Sequence, residues 1–339
     1  MNIAFITIYD VYNKDRCFNE TSCKIGENLL LPYIKLKEFL EKQGHNYHTV
    51  DMYNNLSDID YVIFQDIKPS YLQGCKTMID ILRYIYHKQW KNDILQKVIK
   101  ILPKEKRLLI MVEPPINCST SYLYKVHRHF NTIFTWNDDL VDNIKYFKLN
   151  FPQIIPSYDY RISFNEKKFL TMICGNKTSS EKNELYSMRK KIIEYFENND
   201  ECTFDLYGFG WNASNLKNYQ GIITSKLKTL SQYKFSICFE NMSGVNGYVT
   251  EKIFDCFFAG CVPVYLGADN IVNYIPEDSF IDMRKFTCIK DLVHFLKSIS
   301  IKQYEKYLNA AHCYINSSFF KETFSVEHYI NTIYQKIIQ

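Results

Sequence analysis

The sequence predicts an α/β protein of two Rossmann-like domains, and three observations predict it. The 339 residues suffice for two α/β cores of ordinary size. Short apolar runs alternate with segments of helical period, and the alternation occurs twice, as parallel sheets covered by helices require. Between the two series lies Asn150 to Tyr160, which holds Pro152 and Pro156 and reads as a linker. The domains are therefore placed at residues 1–150 and 151–339.

In the first series Ile3 to Tyr9 is an apolar strand, and Leu29 to Gln43 has helical period closed by Gly44. Tyr47 to Met52 and Tyr61 to Phe64 are short strands, followed by helices at Met78 to Trp90 and Ile94 to Ile101. Leu108 to Val112 is wholly apolar, as a buried parallel strand must be, and Thr132 to Trp136 is another strand. In the second series Phe169 to Ile173 is a strand, and Glu184 to Glu197 a helix with Leu185, Met188, Ile192 and Phe196 on one face. Strands Phe204 to Tyr207, Phe235 to Phe239 and Val262 to Leu266 follow, with a helix from Tyr248 to Ala259 stopped by Gly260. Phe280 to Met283 is short and extended, and two helices fill Ile289 to Ala311. A last helix is expected near Ser325 to Ile338, where it could cross back onto the first domain.

Composition narrows the function classes. A net charge of +4, from 41 basic and 37 acidic residues, is too balanced for a nucleic-acid binder, which would carry a basic stripe. The eleven cysteines are scattered without a CxxC pair, which argues against a disulfide scaffold or zinc site and for a reducing, cytoplasmic setting. The start MNIAFITIYD has no basic leader, and no run is long enough to span a membrane, so neither a signal peptide nor a transmembrane segment is expected. Asp58-Ile59-Asp60 matches the metal-binding Asp-x-Asp in letters only and reads as a strand-entry turn. His127 and His129 do not share a helix face and read as surface residues, while Trp136, Phe254, Phe257 and Phe258 read as core.

The chemistry concentrates in Lys234 to Asp282. There a buried strand ends in Glu240 and Asn241, and a loop with Gly244 and Gly247 opens a helix near Tyr248. Ligands of open parallel sheets bind at the carboxyl ends of strands, where a helix N-terminus attracts anions. Glu251 and Lys252 fall in the first turn and diverge by about 100°, enough to reach different parts of one ligand. A lysine there opposes the helix dipole, which points to an anion for it to meet.

This stretch is similar to the donor-binding motif of the α1,3/4-fucosyltransferase family. Phe239-Glu240-Asn241, Tyr248-Val249-Thr250-Glu251-Lys252, Gly260-Cys261-Val262-Pro263-Val264, Leu266-Gly267 and Ser279-Phe280-Ile281-Asp282 match it in order. Upstream, Met111-Val112-Glu113-Pro114-Pro115 resembles the family's strand ending in Glu-Ser-Pro, with Pro114 in place of serine. Phe130 to Asp138, Cys174-Gly175-Asn176 followed by Arg189, and Phe204 to Gly208 also fit, so the resemblance covers roughly Leu108 to Asp282.

The resemblance implies two domains facing across a cleft (GT-B type), the first holding the acceptor and the second GDP-fucose. It implies an inverting transfer of fucose to a glycan hydroxyl, α1,3 to GlcNAc of an N-acetyllactosamine-like unit. Such a reaction needs a base for the acceptor proton and positive charge for the departing diphosphate. Glu113 is the implied base, and Arg189 and Lys252 the implied diphosphate clamps. Glu251, Asn241, Tyr248 and Glu240 complete the donor-binding set. No cofactor or obligatory metal is implied. Two rivals stay open: the same fold using another GDP-sugar, and an inactive glycan-binding module.

Overall fold

The computed structural model describes residues 1–23, 28–72, 93–157 and 162–339. They form two compact units: the first runs to Leu149 and takes back Tyr329–Gln339, and the second holds Asn150–His328.

The first unit is built on six parallel strands: β1 (Asn2–Thr7), β2 (Asn46–Thr49), β3 (Tyr61–Gln65), β4 (Arg107–Met111), β5 (Thr132–Thr135) and β6 (Tyr146–Lys148). Their order is β2-β1-β3-β4-β5-β6. Helix α1 (Leu31–Lys42) and helix α2 (Ile94–Ile101) flank the sheet. β3 and β4 are buried at every residue, which is why Tyr61–Phe64 and Leu108–Met111 are unbroken apolar runs instead of alternating ones. Ala4, Ile6, Val62, Phe64, Leu109 and Met111 share one core with Leu95 and Val98 of α2.

The second unit repeats the plan with five parallel strands: β7 (Lys168–Ile173), β8 (Phe204–Tyr207), β9 (Tyr233–Phe239), β10 (Val262–Leu266) and β11 (Ile281–Asp282), in the order β11-β10-β9-β7-β8. Helices α3 (Tyr186–Asn198), α4 (Lys226–Ser231), α5 (Glu251–Ala259), α6 (Ile289–Ser298), α7 (Ile301–Ile315) and α8 (Ser318–Phe324) belong to it, whereas α9 (Val326–Ile338) lies from Tyr329 onward in the first unit, as the sequence suggested for the last helix. Alternation along β9 divides the core: Phe235, Ile237 and Phe239 meet Ile192, Ile193 and Phe196 of α3. Cys238 joins a second cluster, with Phe254 and Phe257 of α5 and with Phe320 and Phe324 of α8. Read in chain order within each unit, the first five strands of both sheets follow the order 2-1-3-4-5. The order reverses beside β1 and β3 in the first unit and beside β7 and β9 in the second.

Several expectations need correction. Helix α5 begins at Glu251, with Thr250 as its N-cap, so Tyr248 lies outside it. It ends as expected: Gly260 adopts φ +64, and the Cys261 amide reaches back 2.9 Å to the Cys256 carbonyl. Val50–Met52 is a 3-10 turn and not part of β2. Strand β6 and helices α4 and α8 were not expected. β6 has three half-buried residues, and the two helices have six and seven, too few to display a period. The expected helix at Met78 to Trp90 lies outside the described residues, as do residues 158–160 of the expected linker.

His127 is buried, not on the surface: its Nδ1 lies 2.9 Å from the Tyr146 hydroxyl and its Nε2 2.6 Å from the Ser121 carbonyl. Trp136 is core, donating from Nε1 to the Val112 carbonyl at 3.1 Å. Asp60 accepts the Asn2 amide at 2.7 Å, the strand-entry turn that its sequence suggests.

Candidate active site

In a sheet of this order, side chains from the loops beside the reversal converge above the strand ends. In the first unit these loops carry Tyr9, Asp66 and Glu113. Glu113 follows β4, where Pro114 holds the chain extended (φ −70, ψ 162) before a short helical turn. Its carboxylate accepts from both sides: the Tyr9 hydroxyl donates to Oε1, and Asn117 Nδ2 donates to Oε2 at 2.7 Å. The Tyr122 hydroxyl donates to the Glu113 carbonyl at 2.9 Å.

Beneath it, Asp66 is fully buried in the left-handed region at φ +57. Its carboxylate accepts the Glu113 amide at 3.0 Å, the Val112 amide at 3.2 Å and the Ser121 hydroxyl at 3.0 Å. Burial pushes the Asp66 carboxyl up to about 8, against the pull of those donors, and the nearby Glu113 charge adds to the rise. Burial, and then the Glu113 charge, also raise the Tyr9 phenol, so it stays a donor at any physiological pH. Sequence patterns do not single out Tyr9, read as the end of the first strand but lying beyond β1, or Asp66, whose only signal is an aspartate just past an apolar run.

In the second unit β9 delivers Glu240 and Asn241 to the reversal point, and α5 starts against them. Glu240 is fully buried: Oε1 accepts the Thr250 amide at 2.8 Å, and Oε2 accepts the Thr250 hydroxyl at 2.8 Å and Lys252 Nζ at 3.1 Å. Its carboxylate therefore caps α5 and serves as a counter-ion for Lys252. Burial works against the Lys252 ammonium, but Glu240 and Glu251 outweigh it and hold the pKa above its ordinary value. Glu251, half-exposed, points its Oε1 3.6 Å from Lys252 Nζ and 4.0 Å from Lys226 Nζ. Burial opposes its ionised form, yet Lys252 and Lys226 hold the carboxyl below the usual range.

Arg189 comes from α3, buried and stacked over Tyr186 at 5.2 Å. Its Nη2 donates to the carbonyls of Phe239 and Glu240, each at 2.6 Å, and to Asn241 Oδ1 at 3.2 Å. The first two are backbone carbonyls at the end of β9 and just beyond it.

The structure thus brings Arg189, Glu240, Asn241, Glu251 and Lys252 together and gives three of the expected donor contacts different roles. Glu240 has no exposed surface with which to meet a ligand. Arg189, expected to clamp phosphate, fixes the strand end through Nη2. Tyr248 is buried with its ring edge-on to Phe151 at 6.1 Å. Burial explains all three: a buried charge or hydroxyl must be matched by protein groups.

An ion pair absent from the motif adjoins this site. Lys226, at the start of α4, bridges Asp255 at 2.5 Å, one turn below Glu251 on α5. A signal was present, since Asp255 interrupts the apolar run of α5 four residues after Glu251. No group of three or more His, Cys, Asp or Glu that could hold a metal occurs among the described residues. None of the described helices is long and apolar enough to cross a membrane.

Comparison with known proteins adds to this geometry. A family sequence model described as Glycosyltransferase family 10 (fucosyltransferase) C-term matches residues 165–335. An α-(1,3)-fucosyltransferase FucT of Helicobacter pylori is 33% identical over 123 residues, 33% of this chain and 25% of that one. A 4-galactosyl-N-acetylglucosaminide 3-α-L-fucosyltransferase 9 of Mus musculus is 42% identical over 121 residues, 34% of this chain and 32% of that one. The match thus spans a third or less of these relatives. Among solved structures, an α1,3-fucosyltransferase with GDP superposes with TM-score 0.55 at 14% identity, covering 100% of this chain and 90% of that one. A DNA-modifying β-glucosyltransferase superposes with TM-score 0.56 at 14% identity, covering 100% of both chains. At such identities the likeness establishes the fold: two Rossmann-like α/β domains of the GT-B type.

Proposed function

Because the chain belongs to glycosyltransferase family 10, the fucosyltransferases, we propose that it transfers L-fucose from GDP-fucose to a hydroxyl of a glycan acceptor, with inversion and without a metal. The acceptor is an N-acetyllactosamine-like unit and the linkage α1,3 to its GlcNAc. The acceptor O–H gives its proton to Glu113 as its oxygen bonds to the fucose anomeric carbon. The bond from that carbon to the β-phosphate oxygen breaks, and GDP leaves with the electron pair. Lys252 supplies positive charge to the departing diphosphate, while Glu251 and Asn241 accept from or donate to sugar hydroxyls. Arg189, Glu240 and Asp66 hold these groups in place. The scattered cysteines make the reducing cytoplasm the proposed setting.

One observation carries this proposal: a fully buried glutamate, Glu240, anchors both the amide of Thr250, the N-cap of α5, and the Lys252 ammonium at the sheet's reversal point. A generic surface helix has no reason to bury a carboxylate for that purpose.

The experiment is to incubate the protein with GDP-fucose, GDP-mannose or UDP-galactose, with N-acetyllactosamine and with EDTA or without. Released nucleotide is measured and the product linkage read by NMR. GDP release with GDP-fucose, unchanged by EDTA, is expected. Turnover of GDP-mannose in its place would mean the same fold with a different donor. Binding of the glycan without turnover of any donor would mean an inactive binding module, and loss of all activity in EDTA would refute metal independence.

A further inference from the structure

Two helices of the second unit carry an ionic ladder that extends beyond the motif. Glu251 and Asp255 stand one turn apart on α5, where carboxylates four residues apart face each other and repel. Lys226, the first residue of α4, reaches both of them from the neighbouring helix. Its place is fixed by its surroundings. Ser225 caps α4 by accepting the Lys228 amide at 3.1 Å, and Leu227 and Leu230 are buried in one cluster with Ile253, Phe254 and Phe257 of α5. A lysine in the first turn opposes the helix dipole, so the two carboxylates are the reason for a cation there.

The separations are graded. Lys226 Nζ lies 2.5 Å from Asp255 Oδ2 and 4.0 Å from Glu251 Oε1. Lys252 Nζ lies 3.1 Å from Glu240 Oε2 and 3.6 Å from the same Glu251 oxygen. In spatial order Asp255, Lys226, Glu251, Lys252 and Glu240 alternate in sign, and each ammonium keeps one close carboxylate of its own. Glu251 Oε1 stands between the two ammoniums, beyond hydrogen-bond length from either. Against burial, Lys252 and Lys226 keep its carboxyl ionised. The carboxylate is thus charged and steered while neither lysine occupies that oxygen, as acceptance of a sugar hydroxyl requires. Its side chain is 47% exposed, the most accessible of the five.

Bracing the helix pair would need only Asp255 and Lys226. Glu251 matters because Lys226 and Lys252 compete for it. Without Lys226, Glu251 has one cation left in the ladder, and its gap to Lys252 closes into a hydrogen-bonded pair. Lys252 then carries two carboxylates, Glu240 and Glu251, and an arriving diphosphate must displace both.

We propose that Lys226, anchored by Asp255, is a positioning residue of the donor site: it draws Glu251 away from Lys252, keeping the glutamate turned to the donor sugar and the lysine open to the diphosphate. The inference rests on the proposed assignment of Glu251 and Lys252 to GDP-fucose, and it adds a residue that acts through them.

The test is calorimetry with GDP and steady-state transfer with varied GDP-fucose, both on the full chain. Lys226→Met should weaken GDP binding and raise the KM for GDP-fucose by about tenfold, the contribution of one charge-assisted hydrogen bond that the ligand must now break. The kcat should change little. Lys226→Arg keeps the charge and should restore both values. Lys226→Gln carries the same expectation as the methionine variant and serves if that one does not fold. Adding Glu251→Gln to Lys226→Met should return GDP affinity to that of Glu251→Gln alone, because the carboxylate that closes on Lys252 is gone. Asp255→Asn should act differently: Lys226 then takes Glu251 for itself, so the KM for GDP-fucose rises while GDP binds as in the wild type. A role confined to bracing α4 against α5 would lower the melting temperature and leave GDP binding by the folded variants unchanged. That result, or a loss of affinity that Glu251→Gln does not relieve, would overturn the proposal while the donor site stands. If the wild-type chain itself binds no GDP, the donor-site reading fails and this one with it.

Discussion

The hydroxyl of Tyr9 donates a hydrogen bond to Glu113 Oε1, tying the loop after the first strand to the carboxylate proposed as the base. With Asn117 on the other oxygen, the carboxylate is gripped in one orientation before any acceptor arrives. Hydrogen bonds to a charged group contribute about 1.5–3 kcal/mol. Tyr9→Phe should therefore lower kcat by about tenfold or more and leave the KM for GDP-fucose unchanged, as steady-state assays with varied donor would show.

Glu113→Gln keeps the shape and removes the proton acceptor. Transfer should fall by about 10²–10⁴-fold, the usual contribution of a positioned base, while GDP still binds in calorimetry. Near-normal turnover would remove Glu113 from the chemistry.

Asp66 makes stability depend on pH. Its carboxyl is raised to about 8 in the folded chain against 3.8 as the ordinary value, so between those limits the folded state holds the extra proton. The stabilisation is complete below pH 3.8 and is lost as pH rises through 8. The slope from this group is on the order of 1 kcal/mol per pH unit. Asn tolerates the left-handed backbone and cannot ionise. Asp66→Asn should flatten the urea midpoint measured from pH 5 to 8, and an unaltered profile would assign the pH dependence elsewhere.

Glu240→Gln leaves the Lys252 ammonium without its buried partner. Removing one partner of a buried pair costs about 3–5 kcal/mol; because Lys252 is 22% exposed, solvent should bring the loss to the low end. Denaturation should show the destabilisation, and calorimetry a weaker affinity for GDP. Gly267→Ala should damage the same spot, since its Cβ would stand 2.5 Å from Glu240 Cγ and closer still to the Tyr265 hydroxyl. Overpacking of this kind costs about 1–3 kcal/mol.

Lys226 and Asp255, at 2.5 Å and both mostly buried, should couple. A double-mutant cycle with Lys226→Met and Asp255→Asn should give an interaction energy of about 0.5–3 kcal/mol. Additive effects would make the pair incidental.

The fold was legible because both sheets are parallel and buried, so β3, β4, β9 and β10 announce themselves as apolar runs between helical periods. What escaped was short or marginal: β6 at the sheet edge, and α4 and α8 with fewer than two turns or barely two. In the candidate site, residue types were legible and their directions were not. The motif named Glu240, Arg189 and Tyr248, but whether each faces a ligand or the core depends on burial, which adjacency in sequence does not encode. Tyr9 and Asp66 were invisible because their partner lies 104 and 47 residues away.

The buried Glu240 has a consequence for turnover. An ammonium already shared with a carboxylate greets an incoming diphosphate by exchange, not by simple addition, so part of the attraction is cancelled in advance. In the role proposed for Lys252, such a cation would recognise the nucleotide without gripping it, and spent GDP would leave a lysine whose former companion is waiting to reclaim it.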